Sequence, residues 1–275
     1  VPRHLYKIFV RAKKAGRDLP VEIAIGLHPA VLLSASYPAE FKVDESWIAN
    51  SLLDGKLHVF EMEETGIKIP NHAEIVMEGK ILHDSEAEEG PFVDITGTYD
   101  IVRRQPVVEI DRIYMRKGAL YHALLPSGSE HRILMGLPKE VKIWQYVKNV
   151  VPEVKGVNLT PGGCGWLHAV ISIRKQSEGD PKNAIMAAFA AHPSLKHCII
   201  VDEDIDIYNP KDVEWAIATR FQADEDLIII KNARGSSLDP SSDQKNLITT
   251  KVGIDATIPL NKDPKDFMRA KIPEF

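Results

Sequence analysis

Short runs of alternating hydrophobic and polar residues dominate the first part of the chain and predict strands with a few helices. Four of these runs are predicted to be strands: residues 21–25, 73–77, 107–115 and 121–125. Turn-forming glycines follow or separate them: Gly26, Gly79 and Gly118. Residues 44–53 instead predict a helix, because Asp44 suits its N-cap and Gly55 comes soon after its end. Up to about residue 130 the pattern is therefore that of a β-rich α+β domain.

After about residue 130, helical and strand patterns alternate. Helices are predicted over residues 140–150, 181–191 and 209–220. Strands are predicted over residues 167–173, 196–201 and 226–231. In the last helix Asn209 can cap, Pro210 suits the first turn and Asp212 favours the positive end. Such alternation is typical of a parallel α/β layer. The segment from Ala233 onward, rich in Ser, Asp, Pro and Gly, is predicted to be mostly loop and extended chain.

The change of pattern predicts two domains, residues 1–130 and residues 131–275. Of the 275 residues 44% are hydrophobic, and the net charge is -5, so no global basic field favours nucleic acid. No apolar run reaches the ~18 residues that a membrane span needs, and no signal peptide is visible. The chain begins with Val1 rather than Met, which suggests a processed product or a fragment.

Two cysteines, Cys164 and Cys198, lie far apart without a CxxC spacing. A disulfide framework and a Cys-rich zinc site are therefore excluded, and a reducing, cytoplasmic location is predicted. Cys164 lies in the Gly-rich segment 162–165, which lacks the flanking pattern of a phosphate loop. A nucleophilic cysteine and a plain loop cysteine both stay open at this point. The histidines show no metal-ligand spacing such as HExxH.

Three motifs have both a chemical and a structural interpretation. Glu89 and Asp94 bracket Gly90–Pro91, so a rigid turn could present two carboxylates for proton transfer; a solvated turn is the alternative. The acids of residues 202–206 follow a buried strand and could bind a ligand or a metal, or could cap the next helix. Lys251 could meet a phosphate, or it could be an exposed lysine beside a turn.

In their order and spacing, these motifs resemble the UbiD family of decarboxylases, which act on unsaturated or aromatic acids with a prenylated flavin. The chain is similar to the family's AEIVxEG, EGPFG[ED]xxGYY, VDxDIDI and DVxWAxATR segments and to its closing segments. The matching stretches are residues 73–79, 89–94, 96–99, 201–207, 212–220, 236–241 and 251–257. The resemblance covers nearly the whole chain, and joint occurrence of these segments elsewhere is improbable.

The resemblance implies a flavin-binding split β-barrel followed by a C-terminal α/β domain that makes oligomer contacts, in a dimer or hexamer. It implies reversible, non-oxidative decarboxylation of a small carboxylic acid, with prenylated FMN supplied by a flavin prenyltransferase, and with Mn²⁺ and K⁺. The modified flavin would be the electron sink, and the protein would supply position and protons. Polyprenyl hydroxybenzoate, phenolic acids and acrylic acids all stay open as substrates.

Individual residues take family roles by their match to these segments. Glu89 and Asp94 match the two acids of a Glu-Arg-Glu catalytic set, and Asp94 would protonate the carbon that loses carbon dioxide. Glu45 and His4 match the metal shell that ties the flavin phosphate to the protein. The implied cofactor contacts are Ala35, Ser36, Tyr37 and Lys251.

Departures from the family pattern leave alternatives. The catalytic Arg, a metal-binding Asn and the N-terminal domain would precede Val1, so the chain could be a fragment, half of a split enzyme or a non-catalytic relative. A non-catalytic assembly subunit would need a partner chain for the Arg, unless Arg103 or Arg104 replaces it. Val93 stands where the family has Gly. A plain FMN-dependent oxidoreductase is a third hypothesis, although the acid loop has no evident task in hydride chemistry.

Overall fold

Residues 4–270 are described by the computed structural model. They divide into two units: unit 1 with residues 4–94 and 99–130, and unit 2 with residues 95–98 and 131–270. The described residues form several sheets and seven α-helices, so the fold is mixed α/β. The main change of unit follows Glu130, which is also where the sequence pattern changes.

The described part of unit 1 contains an antiparallel three-stranded sheet, a separate two-stranded sheet and three helices. Its elements are α1 (His4–Lys14), β1 (Leu19–Ile25), α2 (Pro29–Ser36), α3 (Glu45–Leu52), β2 (Val59–Glu61), β3 (Lys68–Pro70), β4 (Ile75–Glu89) and β5 (Arg103–Met115). The larger sheet has the order β1-β4-β5, and β2 pairs with β3. Asp44 accepts a hydrogen bond from the Ser46 N–H at 2.8 Å, which confirms the predicted cap of α3.

The strand predicted over residues 121–125 was wrong. This segment is irregular, and among residues 4–270 no strand pairs with it. Its large side chains stay exposed, with 70% of Tyr121 and 74% of Leu125 accessible, so the hydrophobic run has no sheet face to cover. The two sheets of unit 1 have three and two strands. Closure into a split β-barrel stays a prediction.

β4 is longer than the predicted strand and does not end at Gly79. Its pairing with β5 instead shifts register between Glu78 and Gly79. A Cβ atom at Gly79 would lie 2.1 Å from the main-chain oxygen of Glu109 on β5. Gly79 therefore permits the close approach of two strands rather than forming a turn.

We expect Gly79→Ala to lower the free energy of unfolding by about 1–3 kcal/mol, because the added methyl meets rigid backbone. Urea denaturation followed by circular dichroism measures the shift. Gly162→Ala is the control, since a Cβ there meets no atom within 4 Å. An unchanged midpoint for Gly79→Ala would contradict the close approach of β4 and β5.

The rest of the chain forms four helices and five strands within the described range. They are α4 (Ser129–Lys148), β6 (Val154–Leu159), β7 (His168–Ile173), α5 (Asp180–Ala191), β8 (His197–Asp202), α6 (Pro210–Arg220), α7 (Ala223–Asp226), β9 (Leu227–Arg234) and β10 (Ile248–Ala256). α4 begins well before the predicted start at Glu140, and it contains Pro138. The Asn209 side chain accepts a hydrogen bond from the Lys211 N–H at 3.1 Å, which confirms the predicted cap of α6.

The sheet of unit 2 is mixed, so the prediction of a parallel layer was only partly right. Its order is β6-β7-β8-β10-β9. β8 runs parallel to β7 and to β10, whereas the edge strands β6 and β9 are antiparallel to their neighbours. β10 comes from the segment predicted to be mostly loop and extended chain, and it separates β8 from β9. Its charged residues Lys251 and Asp255 are both buried.

Apolar side chains cover both faces of this sheet. One cluster packs α4 and α5 against the sheet and includes Val147, Ile171, Ile185 and Ile200. The other packs α6 against the opposite face, with Ile199 among its members. The sheet is thus a rigid scaffold for the loops at its edges. Among the described residues no helix is long and apolar enough to cross a membrane.

Candidate active site

The predicted metal residues His4 and Glu45 lie together in unit 1. Each is the first residue of a helix, α1 and α3 respectively. His4 Nδ1 is 3.2 Å from Glu45 Oε1, and about a third or less of each side chain is exposed. An imidazole nitrogen and a carboxylate oxygen form a donor set that suits Mn²⁺. The geometry therefore fits a metal at this place, although the metal itself stays a prediction.

A cationic surface extends from this pair along α1. Lys7 Nζ lies 4.9 Å from the centre of the Phe41 ring, and the Arg11 guanidinium lies 5.4 Å from it. The His4 ring contacts the same ring edge-on at 5.4 Å. Among the described residues no carboxylate pairs with Lys7 or Arg11. Two such cations beside the His4–Glu45 pair favour a phosphate group.

Sequence reasoning assigned no binding role to Lys7 or Arg11. The spacing of His4, Lys7 and Arg11 places them on one side of a helix, which is a detectable signal. Phe41, which holds their side chains together, comes from a loop and could not be inferred from that spacing.

Ala35, Ser36 and Tyr37, the predicted flavin lining, form the C-terminal end of α2 and its cap. The Ser36 hydroxyl donates to the main-chain oxygen of Leu32 at 3.0 Å. The Tyr37 N–H donates to the main-chain oxygen of Ser34 at 3.0 Å. The backbone of this segment is therefore fixed by hydrogen bonds within its own helix, and α2 packs against α3, which carries Glu45.

The acid loop follows β4. Glu89 is the last residue of that strand and its side chain is exposed, whereas Asp94 is half-buried. Gly90, with φ of 94°, and Pro91, joined to it by a cis peptide bond, lie between them. Val93 forms an antiparallel bridge with Tyr99, so the valine occupies extended backbone and needs no glycine there. The loop is compatible with the role of both acids, which stays a prediction.

The guanidinium groups of both arginines proposed as substitutes for the family's catalytic Arg already make hydrogen bonds within the protein. Arg103 lies opposite Glu89 in the β4–β5 pairing, but its guanidinium binds both carboxylate oxygens of Asp100. Arg103 holds the pKa of Asp100 below its usual value, mainly through that hydrogen bond. Arg104 donates to the main-chain oxygen of Glu86 at 2.8 Å. Neither contact supports a catalytic role for these arginines.

Two family models together match almost the whole chain. Residues 2–129 match the 3-octaprenyl-4-hydroxybenzoate carboxy-lyase Rift-related domain, called UbiD. Residues 132–256 match the C-terminal domain of the same carboxy-lyase. The chain belongs to the UbiD family. The resemblance inferred from the sequence motifs is thereby confirmed.

The relatives of this UbiD-family chain include decarboxylases and flavin-binding enzymes. It is 55% identical over 272 residues to anhydromevalonate phosphate decarboxylase of Methanocaldococcus jannaschii, covering 99% of this chain and 64% of the relative. The structure of the UbiD-class enzyme HmfF from Pelotomaculum thermopropionicum in complex with FMN is similar, with a TM-score of 0.95 and 45% identity over 99% of this chain and 61% of HmfF.

An evolved dimeric form of HmfF in complex with prFMN has a TM-score of 0.89 and 42% identity, over 99% of this chain and 59% of that chain. This UbiD-family chain thus spans less than two thirds of the length of the relatives that it matches. The mixed α/β fold is common to them.

Lys251, the fourth predicted cofactor contact, is in unit 2 of the UbiD-family chain and only 4% exposed. Its ammonium donates to the main-chain oxygens of Pro193, at 2.7 Å, and Leu195, and it lies 5.1 Å from the centre of the Phe189 ring. Burial lowers the pKa of Lys251 to about 8. A phosphate would have to compete with two main-chain acceptors, so this geometry gives the predicted phosphate contact no support.

The depressed pKa of Lys251 has a consequence for stability. Between pH 8 and the ordinary lysine pKa of about 10.4 the unfolded chain binds the proton and the folded chain does not, so the free energy of unfolding rises with pH. We expect that component of the rise to be absent from Lys251→Met. Urea denaturation at pH 8 and pH 10 measures it, and other lysines cancel in the comparison. Equal slopes in the two proteins would contradict a buried, titrating Lys251.

The acids after β8 form ion pairs rather than a metal site. Arg220 donates to Asp202 Oδ2 at 2.7 Å and to Asp204 Oδ2 at 2.6 Å, and its side chain is fully buried. The predicted capping of the next helix by these acids is not what the structure shows: Asn209 caps α6, and Asp202 and Asp204 pair with Arg220 instead. Cys198 is fully buried as well, and burial raises the pKa of its thiol, which makes it unreactive.

A cleft of 360 Å³ lies between the β2–β3 sheet and the face of the larger sheet of unit 1. None of the predicted site residues lines it. Its charged lining is mostly acidic, with Glu61, Glu63, Glu64 and Glu78 against Arg112. Such a lining disfavours a phosphate or a carboxylate, so this cleft is not a candidate for the flavin or the acid substrate.

Proposed function

We propose that this chain provides the metal, flavin and acid-loop residues of a decarboxylase that acts on anhydromevalonate phosphate with prenylated FMN. The observation that carries the proposal is the 55% identity, over 99% of the chain, to a protein of that name. The substrate is then a phosphorylated, unsaturated acid rather than the aromatic acid that the family also accepts. The match covers 64% of that relative, so the test also includes the remaining part of the relative.

In this proposal His4 and Glu45 would hold Mn²⁺, which would tie the cofactor phosphate to the protein. The observed 3.2 Å separation of their donor atoms fits such a role. Lys7 and Arg11 add positive charge next to the same place. Ala35 to Tyr37 line the flavin with a backbone segment fixed by its own hydrogen bonds. Prenylated FMN would supply the electron sink for decarboxylation.

The acids of the loop move the proton. The bond between the carboxylate and the unsaturated carbon breaks, carbon dioxide leaves, and that carbon takes up one proton from Asp94. Asp94 regains its proton from solvent. Asp94 is half-buried, and a positioned carboxylic acid can donate a proton to the reacting carbon. Glu89, exposed at the end of β4, is the first acid of the set and contacts the substrate in this proposal.

The proposal is tested by coexpressing the chain with a flavin prenyltransferase and measuring carbon dioxide release from anhydromevalonate phosphate and from 4-hydroxybenzoate. Each assay is run with the chain alone and with the chain plus the part of the Methanocaldococcus jannaschii relative that it does not match. Release from anhydromevalonate phosphate alone, in either assay, supports the proposal. Release from 4-hydroxybenzoate alone, or retention of no flavin in either assay, overturns it.

The same assays also test two alternative functions of the chain. A requirement for the added part of the relative would identify the chain as a subunit that depends on a partner for the catalytic Arg. NADH or NADPH oxidation without decarboxylation would instead favour an oxidoreductase. Sedimentation of the purified protein tests the predicted homo-oligomer, and metal analysis of the same sample tests Mn²⁺ and K⁺.

A further inference from the structure

We infer that His28 and His72, in their neutral forms, position α2 so that acidic pH weakens flavin binding at the other end of that helix. Both residues lie outside the predicted active site. The inference rests on the proposed function, because it takes Ala35, Ser36 and Tyr37 as the flavin lining.

His28 is the N-cap of α2. Its Nδ1 accepts a hydrogen bond from the Ala30 N–H at 3.1 Å. Pro29 occupies the first helical position and has no N–H to satisfy, so the Ala30 N–H is the first donor of the helix that needs an acceptor. A ring nitrogen can accept only through its lone pair, and protonation of Nδ1 would convert an acceptor into a donor that faces a donor.

His72 holds His28 in turn. The His28 N–H donates to His72 Nε2 at 2.9 Å, and the two rings meet edge-on with their centres 6.2 Å apart. Since both donors are main-chain N–H groups, the tautomers follow from the geometry: His28 carries its proton on Nε2, and His72 carries its proton on Nδ1. The two histidines therefore differ in tautomer, and each loses its contact when it is protonated.

The surroundings of His72 also oppose its protonation. Arg116, just after β5, donates to the main-chain oxygen of Asn71 at 2.9 Å. Burial lowers the pKa of His72, and the charges of His28 and Arg116 lower it further. One carboxylate oxygen of Glu74 lies 4.0 Å from the Arg116 guanidinium, and the other accepts a hydrogen bond from the Leu120 N–H at 3.3 Å. A lowered pKa means that the stabilisation exists above the unfolded value of about 6.5 and is lost as the pH falls.

Loss of an N-cap weakens an eight-residue helix along its whole length, because so short a helix has little stability of its own. The C-terminal turn of α2 carries the flavin-lining residues. A typical cap corresponds to about a fivefold change in the helix equilibrium, and this is the largest change in flavin affinity that the cap can transmit.

The first measurement is the tautomeric state by two-dimensional ¹H–¹⁵N NMR of histidine rings at pH 8, with assignment from His28→Asn and His72→Gln. We expect an unprotonated Nδ1 in His28 and an unprotonated Nε2 in His72. Amide hydrogen exchange of residues 30–36 is then compared at pH 8 and pH 5. Asn is a good N-cap without a proton to gain, so His28→Asn keeps the cap at both pH values. His28→Ala removes it at both.

We compare protection factors, which are exchange rates relative to the unstructured chain at the same pH. We expect the protection of α2 to fall on acidification in the native protein, to fall less in His28→Asn, which keeps His72, and to be low at both pH values in His28→Ala. His58→Asn replaces an exposed histidine of unit 1 that makes no described side-chain contact, and it should behave as the native protein does. The same change on acidification in the native protein and in His28→Asn would overturn the inference, as would a protonated Nδ1 in His28 at pH 8.

Flavin binding is measured with FMN by fluorescence at the same two pH values. We expect the dissociation constant of the native protein to rise about fivefold more on acidification than that of His28→Asn. Any other effect of acidification on FMN or on the rest of the protein occurs in both proteins and cancels in the ratio. If acidification weakens α2 but changes the FMN dissociation constant equally in the native protein and in His28→Asn, the coupling between the helix cap and flavin binding is refuted. If FMN binds to neither protein at pH 8, the proposed function fails. The hydrogen-exchange data would still test whether His28 caps α2 in a pH-dependent way.

Discussion

From the proposed function we expect Glu89→Gln to reduce decarboxylation by a factor of about 10² to 10⁴ and to leave the fold intact. The amide keeps the shape of the side chain but can neither hold nor transfer a proton as the acid does. Glu89 is exposed at the end of β4, and among the described residues its side chain makes no hydrogen bond or ion pair, so stability should not change. Carbon dioxide release by the cofactor-loaded protein measures activity, and circular dichroism checks the fold.

Glu88→Gln is the matched control for that experiment. Glu88 is the adjacent exposed residue on β4, and successive side chains of a strand point to opposite faces. The same loss of charge at Glu88 should leave turnover within about twofold of the native rate. Normal turnover in Glu89→Gln would contradict the proposed role of the acid loop, as would equal losses in the two variants.

Arg220→Met destabilises the protein by about 3–5 kcal/mol, the largest effect on stability that we expect. The side chain of Arg220 is fully buried and binds Asp202 and Asp204. Burial raises the pKa of Asp202, while the hydrogen bond from the Ile258 N–H and the charge of Arg220 oppose that rise. Removal of the guanidinium would leave the Asp202 carboxylate largely buried without a counter-ion. Chemical denaturation at pH 7 measures the loss.

A double-mutant cycle separates this effect from lost packing. Asp202→Asn removes the charge that Arg220→Met leaves unpaired, so the double variant should regain part of the lost stability. Arg234→Met, on exposed Arg234 of β9, is the control and should change the free energy of unfolding by less than about 0.5 kcal/mol. A loss in Arg220→Met no larger than in this control would show that the ion pairs contribute little.

Local signals in the sequence predicted the elements that have their own caps and periodicity. Asp44 and Asn209 cap the helices that they were expected to cap, because an N-cap hydrogen bond joins residues only two positions apart. β10 was not recognised as a central strand, because its burial depends on strands far away in sequence. The strand prediction for residues 121–125 was wrong because a hydrophobic run forms a strand only if a neighbouring strand pairs with it.

The residues of the candidate site also include some that the sequence could predict and others that it could not. Glu89, Asp94, His4 and Glu45 could be named from family motifs, and the structure places His4 beside Glu45. Phe41, which gathers the cations of α1, could not be found from the sequence, because its contacts are tertiary. The contact between His28 and His72 likewise joins residues far apart in the chain. Lys251 shows that a residue identified by its match to a family motif can have a buried, structural environment.

The position of β10 in the middle of its sheet has a consequence for biosynthesis. β6, β7, β8 and β9 all leave the ribosome before β10 does, yet β8 and β9 do not pair with each other and both need β10 as their neighbour. The nascent unit 2 therefore exposes an open edge on β8 until residues 248–256 have been translated. We expect protection from protease on stalled ribosomes to appear abruptly once this segment clears the exit tunnel, rather than growing strand by strand.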